Sequence, residues 1–416
     1  MTTMPHHLDL YRLPWSLADN GISWLEPTTK CNIRCPGCYR VDTGVHKSLS
    51  EVREELEVFA KLRNSDCISV AGGEPLIHPN ILDIVSLIRD MGWKPIVNSN
   101  GVALTKELLA ELKAAGVYGF TFHVDSGQQR GDTSAKTEEE LNEVRYRLAS
   151  MVAEAGNIAC SFNATISESN IDEVPALAKW AIAHPSLVQT MVFILFRSPE
   201  MNDIEDFDCY ANGKLLTESP YQHPDWAKSR KIVSADVVEA IRSVDPEYAP
   251  AGYLNGTMNP DSFKWLLANR FELGGKTIGY GSPRFLELAQ TSNHLLTGRY
   301  LAYGKPLLQA LGKLNSFITG FVDWHMMKIF LRSMWECLKN PLNIFRSSYV
   351  QNFMIIQPVD IDEMGRQDMC DSCPDVTVHN GRLVWSCRLE ELNTHGAFVN
   401  IVPKDPSDHN NENKPA

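Results

Sequence analysis

The sequence lacks features that would assign it to several large classes of protein. It has no uninterrupted apolar run long enough to span a bilayer, and no basic-plus-apolar signal segment near its first residue. Positive charge is also scarce, since 39 Lys and Arg stand against 51 Asp and Glu, which gives a formal net charge of −12. A chain this acidic is a poor general binder of nucleic acid. We therefore expect a cytoplasmic protein, or one peripheral to a membrane, with no nucleic-acid partner.

What the chain does contain is enough residues for a core, and thiols. Its 416 residues, 44% of them hydrophobic and 22% charged, suffice for one large or two ordinary domains. Disulfides are rare in the reducing cytosol, so we expect the ten cysteines to be thiols that are available to metal.

Three cysteines lie four and three residues apart in a stretch rich in turn-forming residues, Cys31-Asn-Ile-Arg-Cys35-Pro-Gly-Cys38-Tyr39. Such a loop can wrap its thiolates around one object. Thiolates favour zinc, copper(I) or an iron–sulfur cluster. A structural zinc site needs four ligands, and no fourth Cys or His lies nearby in sequence, whereas three ligands suit a cubane cluster that keeps one iron open. Three buried cysteines, or a zinc site with a distant fourth ligand, are the alternatives.

The pattern C-x3-C-x2-C followed by an aromatic residue resembles the radical SAM superfamily. About 35 residues on, Ala71-Gly72-Gly73-Glu74-Pro75 is similar to the motif that those enzymes use on the amino group of S-adenosylmethionine. The resemblance implies that Cys31, Cys35 and Cys38 hold a [4Fe–4S] cluster whose fourth iron chelates S-adenosylmethionine. It also implies a low-potential reductant such as ferredoxin or flavodoxin, and reductive cleavage to a 5′-deoxyadenosyl radical that abstracts hydrogen from the substrate.

Six apolar segments alternate with helical patterns in the first half of the chain, and we predict strands at 22–26, 68–71, 95–98, 118–124, 158–166 and 189–196. Such alternation predicts an α/β protein with a parallel sheet, whose sites lie at the carboxyl ends of its strands. The resemblance implies a partial (βα)6 TIM-like barrel.

Several residues near these strand ends are candidates for binding the cofactor. The resemblance assigns the methionine end of the cofactor to Gly72, Gly73, Glu74 and Pro75, and a carboxylate at position 74 suits an ammonium. It assigns the ribose and carboxylate contacts to Asn98, Ser126 and Asn163, which have hydrogen-bonding amide and hydroxyl groups. These three residues are otherwise ordinary turn formers. Tyr39 either stacks beside the adenine or serves in packing.

The alternation stops after Arg197. We expect an irregular connection over 198–230, helices over 233–244 and 260–270, and a flexible turn or lid over 274–282. Residues 300–347 carry six basic and two acidic residues, a local charge of +4. A helix in this stretch is apolar around most of its circumference and has one narrow polar stripe, formed by His325, Lys328, Arg332, Glu336 and Lys339. It is either a buried helix or one that contacts phospholipid headgroups.

The last cysteines predict a second metal site. Cys370 and Cys373 form a C-x2-C pair, and Cys387 follows after a segment whose Asn380-Gly381 is a strong hairpin signal. The hairpin would return Cys387 to the pair, for zinc or for an auxiliary [4Fe–4S] cluster. The layout is similar to the SPASM and Twitch extensions, although it lacks the full seven-cysteine SPASM set. The fourth ligand is left open among Cys337, Cys209, a non-cysteine side chain and substrate.

The expected organisation is a lead-in (1–21), a radical SAM core (22–197), a mostly helical, apolar and basic region that faces substrate or membrane (198–360), an auxiliary iron–sulfur extension (361–402) and a disordered tail (403–416). The expected function is radical SAM chemistry on an apolar, lipid-like substrate. Radical modification of a peptide or small metabolite is the second hypothesis. A non-catalytic iron–sulfur or zinc protein is the third.

Overall fold

The computed structural model describes residues 4–197, 207–216, 232–361 and 364–404. Strands and helices alternate regularly in its first half. They are β1 (Tyr11–Arg12), β2 (Asp19–Thr28), α1 (Leu49–Leu62), β3 (Asn64–Gly72), α2 (Ile81–Asp90), β4 (Lys94–Ser99), α3 (Lys106–Ala115), β5 (Gly119–His123), α4 (Asn142–Ala155), β6 (Ala159–Ile166), α5 (Val174–Ala183) and β7 (Thr190–Leu195).

The second half mixes strands with helices. Its elements are β8 (Phe207–Ala211), β9 (Lys214–Leu215), α6 (Ser234–Arg242), β10 (Gly252–Asn255), β11 (Phe263–Leu273), β12 (Lys276–Tyr280), α7 (Pro283–Thr297), α8 (Pro306–Gln309), α9 (Gly312–Gly320), α10 (Trp324–Lys339), β13 (Ser348–Ile356), β14 (Asp360–Ile361), β15 (Gln367–Asp368), β16 (Val376–His379), β17 (Arg382–Trp385), α11 (Leu389–His395) and β18 (Asn400–Pro403).

The central sheet has the order β1-β10-β11-β13-β7-β6-β5-β4-β3-β2, with β12 paired to β11. Strands β2 to β7 are parallel and adjacent in chain order, which confirms the predicted α/β core. Strand β13 extends this set in parallel, and β11 then runs antiparallel to it. Over the described residues the sheet stays open, with β1 and β2 at its two edges, as a partial barrel requires.

The helices of the core form where the sequence supplies both a start signal and an apolar face. Helix α1 begins with a capping box, in which the Ser48 hydroxyl accepts from the Glu51 amide while the Glu51 carboxylate accepts from the Ser48 amide. It buries Val52, Leu56 and Phe59. One large cluster of buried apolar residues lies between the helices and the parallel strands, and it fixes where the strand ends lie.

Two predictions for the second half were wrong. Residues 260–270 were expected to be helical but contribute to β11, the long strand between β10 and β13. Nearly all of its residues are buried on both faces, so the apolar run shows no alternation and resembles a helix in sequence. Residues 274–282 were expected to form a turn or lid, and instead hold strand β12 after a turn at Gly274 and Gly275, which both have positive φ.

The expected helical middle region is thus half sheet, because β10 to β13 all join the central sheet. The expected lead-in also contributes to the sheet, since Tyr11 and Arg12 pair with β10. The helix expected at 233–244 is present as α6. The connection expected over 198–230 lies largely outside the described residues, as does the tail beyond 404.

The carboxyl-terminal extension lies where the two edges of the open sheet approach each other. Arg12 on β1 pairs with Asp371 at 2.7 Å, and the Asp371 amide donates to the carbonyl of Asn255 on β10 at 2.9 Å. From the other edge, Asn20 on β2 donates its amide to the Ser372 carbonyl at 3.0 Å. The segment that carries Cys370 and Cys373 therefore bridges both edges.

Candidate metal and cofactor site

A cavity of about 1150 Å³ opens at the carboxyl ends of the parallel strands. Both predicted cysteine groups line it, which brings together residues more than 330 positions apart: Cys31, Cys35, Cys38, Cys370, Cys373 and Cys387. Pockets that bind a single small molecule ordinarily have volumes of about 300–1000 Å³. The cavity therefore has room for more than one bound group.

The first cysteine group lies on the loop that leaves β2. Gly37 has a φ of +77°, and the Cys38 amide donates to the Cys35 carbonyl at 3.0 Å, which closes a tight turn. Burial and the neighbouring cysteines raise the pKa of the Cys35 thiol. Partial burial likewise raises the pKa of the Cys31 thiol. The three thiols lie close enough to influence one another's ionisation, and a metal would have to displace their protons on binding.

The glycine motif packs directly against the start of this loop. The Gly73 amide donates to the Thr28 carbonyl and the Glu74 amide to the Lys30 carbonyl, both at 2.8 Å. A Cβ on Gly72 would lie 2.3 Å from the Thr28 oxygen, and one on Gly73 would lie 2.2 Å from the Lys30 oxygen. Only glycine permits this approach, so the motif holds the segment that delivers Cys31.

The Glu74 carboxylate is almost fully buried and links two strand ends. It accepts hydrogen bonds from the Leu76 amide at 2.9 Å, the Ser99 hydroxyl at 2.7 Å and the Asn100 amide at 2.7 Å. Burial nevertheless raises its pKa to about 7. Pro75 follows in the first turn of a short 3-10 helix. The carboxylate thus supports the motif from within as well as lining the cavity.

Two of the amide residues predicted to bind cofactor have unsatisfied polar atoms at the cavity. Among the described residues, the Asn98 side-chain nitrogen and the Asn163 side-chain oxygen are buried without a hydrogen-bond partner, and both residues line the cavity. Unpaired buried polar atoms are costly, so these amides suit a ligand that supplies partners. Ser126 differs, because its amide and hydroxyl both donate to Glu138 at 2.7 Å.

Arg40 connects the first cysteine loop to the carboxyl-terminal extension, a role that no sequence pattern indicates. Its buried guanidinium pairs with Glu26 at the end of β2 and with Glu390 at 3.4 Å, and it donates to the Ser386 carbonyl at 2.8 Å. The neighbouring Tyr39 ring lies 4.7 Å from this guanidinium and lines the cavity. The two cysteine groups are thus linked through Arg40.

The hairpin predicted beside the second cysteine group is present. Strands β16 and β17 form a hairpin around Asn380 and Gly381, both with positive φ. Hydrogen bonding with the Cys370 thiol and burial raise the pKa of the Cys373 thiol. Burial and the nearby Cys373 raise that of the Cys387 thiol. A thiol–thiol contact of this kind suits a shared soft metal or cluster.

The other cysteines do not reach this site. Cys337 is buried among the apolar residues under α10, and Cys209 packs in a separate small cluster with β18. Neither lines the cavity. Cys67 and Cys160 are buried in the core.

Two cavity residues that the sequence did not single out lie beside the thiols. Asn100 donates its amide to Cys31 Sγ at 3.9 Å and to Asn32 at 2.7 Å. Asp375 lies close to Cys373 and Cys387, and burial raises the pKa of its carboxyl group to about 7. The signal for Asp375 was its place two residues after the C-x2-C pair.

Comparison with known proteins agrees with this architecture. The family described as the Radical SAM superfamily matches residues 25–181. A GTP 3′,8-cyclase from Chlorobaculum tepidum is 26% identical over 194 residues, 45% of this chain and 56% of that protein. An AdoMet-dependent heme synthase from Methanosarcina barkeri is 25% identical over 162 residues, 37% of this chain and 44% of that protein. The chain thus spans about half the length of these relatives.

Among solved structures, Streptococcus suis SuiB bound to the precursor peptide SuiA aligns with 57% of this chain and 47% of that one, at 14% identity and a TM-score of 0.37. The matched segment 25–181 contains the cysteine loop, the glycine motif and the parallel strands β3 to β6. Residues 25–181 of the chain are thus a radical SAM domain.

Proposed function

We propose that the cavity binds a [4Fe–4S] cluster on Cys31, Cys35 and Cys38, together with S-adenosylmethionine, and that the chain is a radical SAM enzyme. The observation that carries this proposal is the convergence of three thiols, the glycine motif and two unsatisfied amides on one cavity. When bound, the cluster and cofactor supply reductive cleavage to a 5′-deoxyadenosyl radical that takes a hydrogen atom from the substrate.

The chain's own residues would position these groups. Gly72 and Gly73 bring the backbone close to the cysteine loop, and Glu74 in its ionised form offers a carboxylate to the cofactor's ammonium. The side-chain amides of Asn98 and Asn163 would receive partners from the cofactor's hydroxyl or carboxylate groups. Tyr39 lines the same cavity and stays a candidate for contact with the adenine. Ser126 is the weakest of these candidates, because Glu138 already holds its hydroxyl.

We also propose an auxiliary [4Fe–4S] cluster on Cys370, Cys373 and Cys387. The contact between the first two thiols and the return of Cys387 by the hairpin support it. Cys337 and Cys209 lie elsewhere, so Asp375 is the non-cysteine side chain best situated for the fourth position. A reductant such as ferredoxin or flavodoxin would supply the electron to the clusters.

The substrate would lie between the two cysteine groups. Strand-end amides and hydroxyls line one part of this space, and Ile194, Trp265, Ile356 and Met369 line another. The apolar, basic helix that suggested a lipid-like substrate does not line the cavity. We therefore propose a small metabolite or a peptide segment with both polar and apolar parts. Relatives whose names refer to GTP and heme support a compact substrate over a long lipid.

Anaerobic reconstitution tests the proposal. Two cubane clusters would give about eight irons per chain. Reduction with S-adenosylmethionine should then release 5′-deoxyadenosine and methionine. Zinc in place of iron, with no cleavage of S-adenosylmethionine under strong reductant, would contradict the proposal and favour a non-catalytic zinc protein.

Metabolite and lipid profiling of a strain that lacks the chain tests the substrate class. Accumulation of a polar compound or an unmodified peptide supports the proposal. A change confined to the lipid fraction would return the lipid-like substrate to first place.

A further inference from the structure

The described chain exposes an unusual concentration of large apolar side chains between residues 307 and 345. We call this the basal apolar surface. Its members have exposed fractions of 38% to 89%: Leu307, Leu308, Leu311, Leu314, Phe317, Ile318, Phe321, Val322, Trp324, Leu331, Trp335, Leu338, Leu342, Ile344 and Phe345. Single exposed hydrophobic residues are normal, but contiguous apolar patches mark interaction surfaces.

These side chains belong to one connected unit. Helices α9 and α10 pack against each other, and α10 packs against the 3-10 turn Pro341–Ile344 that follows it. The Phe317 ring on α9 lies 4.9 Å from the rings of both Phe321 and Phe330. The basal apolar surface is therefore continuous across both helices and the turn.

Helix α10 is apolar on two opposite faces. Met326, Ile329, Ser333 and Cys337 are buried against the protein. Trp324, Leu331, Trp335 and Leu338 are 50% to 74% exposed. At about 100° per residue the two sets point in opposite directions. A helix on a protein surface ordinarily turns polar residues outward, so this outward face lacks the water-compatible residues expected there. The sequence alternatives of a buried helix and a lipid-facing helix each describe one face of α10.

Basic residues border this surface. Residues 300–347 carry a net charge of +4 within a chain of −12, so the rest of the chain carries −16. Arg332 pairs with Glu247, and Lys339 and Lys276 both pair with Glu336. Within the described part of the chain, the structure gives Lys328 no ion-pair partner. The charge distribution would therefore turn this side of the molecule toward an anionic surface.

The basal apolar surface lies at the other end of the sheet from the cavity. Strand β13 connects the two: Ser348 at its start contacts Gly312 of α9, and Ile356 at its end lines the cavity. Eight steps of parallel strand cover about 26 Å. The surface is therefore not an entrance to the cavity, and it would hold the protein while the cavity stays accessible.

We propose that the basal apolar surface docks on an anionic phospholipid membrane. Tryptophan and phenylalanine side chains would enter the headgroup boundary, and Lys328 with its basic neighbours would contact lipid phosphates. Among the residues that the structure describes, no helix combines the length and the apolar character needed to cross a bilayer. A twofold contact between two copies would bring their basic borders together, so charge favours a membrane over self-association. This inference stands independently of the cluster assignments.

Co-sedimentation with vesicles tests it. Full-length protein is mixed with vesicles of phosphatidylcholine alone or with added phosphatidylglycerol. We expect binding to the anionic vesicles, weakened by salt. The variant Phe321→Ser/Trp335→Ser/Phe345→Ser should bind at least about tenfold more weakly, because its apolar anchors are gone. Lys328→Glu should weaken binding several-fold, because each basic residue near an anionic surface adds to attraction.

The matched controls are Leu8→Ser and Lys179→Glu. Leu8 is 80% exposed and distant in sequence from the basal apolar surface, and Lys179 lies on α5. Both should bind as the unchanged protein does. Far-ultraviolet circular dichroism and cofactor cleavage establish that each variant is folded. Equal sedimentation of all variants, or no sedimentation with anionic vesicles, overturns the proposal. A dimer in solution that the triple variant dissociates, without vesicle binding, also overturns it and identifies a second copy as the occupant.

Discussion

The two cysteine groups face the same cavity but are built differently. Cys31, Cys35 and Cys38 lie on a loop held by turns and a few backbone contacts, and Cys38 is exposed. Cys370 and Cys373 are each only 7% exposed and pack in one core cluster with Leu13 and Trp15. Arg63 fixes the second group by donating to the Cys373 carbonyl at 3.0 Å.

This contrast separates two tasks. An accessible loop suits a metal centre that must receive a second ligand and exchange it at every turnover. A buried segment that is held by hydrogen bonds suits a centre whose own ligands stay fixed, and whose position relative to the first centre matters. The difference predicts that damage to the first group removes cofactor chemistry, whereas damage to the second leaves that chemistry but misdirects it.

The largest effect is expected from Cys35→Ala, which removes one thiol of the accessible first cysteine group. Loss of one of three thiolates should prevent stable binding of the first cluster, so 5′-deoxyadenosine release should fall by at least about a thousandfold. Chromatography of the products under anaerobic reduction measures it. Cys160→Ala, in the core and away from the cavity, is the matched control and should keep full activity. Wild-type cleavage by the Cys35 variant would contradict the assignment.

The second-largest effect is expected from Cys373→Ala, which removes one thiol of the buried second cysteine group. We expect loss of about four irons per chain with cofactor cleavage retained within about tenfold, because the first group is intact. Product formation from the substrate should disappear. Iron analysis and Mössbauer spectroscopy measure the cluster content, and Cys337→Ala is the control. An iron content equal to that of the unchanged protein would exclude Cys373 as a ligand.

The link between the two groups is tested by Arg40→Met. This change leaves Glu26 and Glu390 buried without their common partner, which should destabilise the protein by about 3–5 kcal/mol. Thermal and chemical denaturation measure the change. Lys106→Met removes an ion pair whose side chains are both mostly exposed, and should cost less than about 1 kcal/mol. Equal costs for the two variants would show that Arg40 does not hold the two groups together.

Structural features that depend only on residues close together in the chain could be predicted from the sequence. The hairpin at Asn380-Gly381 is a local signal of this kind and formed as predicted. The Ser48–Glu51 spacing that starts α1 is another local signal. Strand β11 was missed because a strand buried on both faces loses its alternating pattern.

What sequence could not supply were contacts between distant residues. Arg40 pairs with a glutamate 350 residues away, and Arg63 reaches the Cys373 carbonyl 310 residues away. No spacing rule connects such positions. The two unsatisfied amides at Asn98 and Asn163 likewise became visible only when the surrounding hydrogen bonds were known.

The smallest expected effect is a pH dependence of cofactor binding, which tests the role of Glu74 beside the first cysteine group. Burial raises the pKa of this carboxyl group to about 7, above its ordinary value of 4.5. Only the ionised form attracts the ammonium of S-adenosylmethionine, and that form gains population as pH rises through 7. Affinity for the cofactor should therefore increase about tenfold between pH 6 and pH 8, following the ionised fraction. Titration calorimetry at constant cluster content measures it.

Two variants isolate the source of this slope. Glu74→Gln cannot ionise, so its affinity should be lower and nearly independent of pH. Asp375→Asn is the matched control, because burial raises the pKa of Asp375 to about 7 as well, in the same cavity but beside the second cysteine group. It should keep the pH slope of the unchanged protein. If the slope instead vanished in Asp375→Asn and persisted in Glu74→Gln, the ammonium would bind on the side of the second cysteine group, and the assignment of the two halves of the cavity would have to be exchanged.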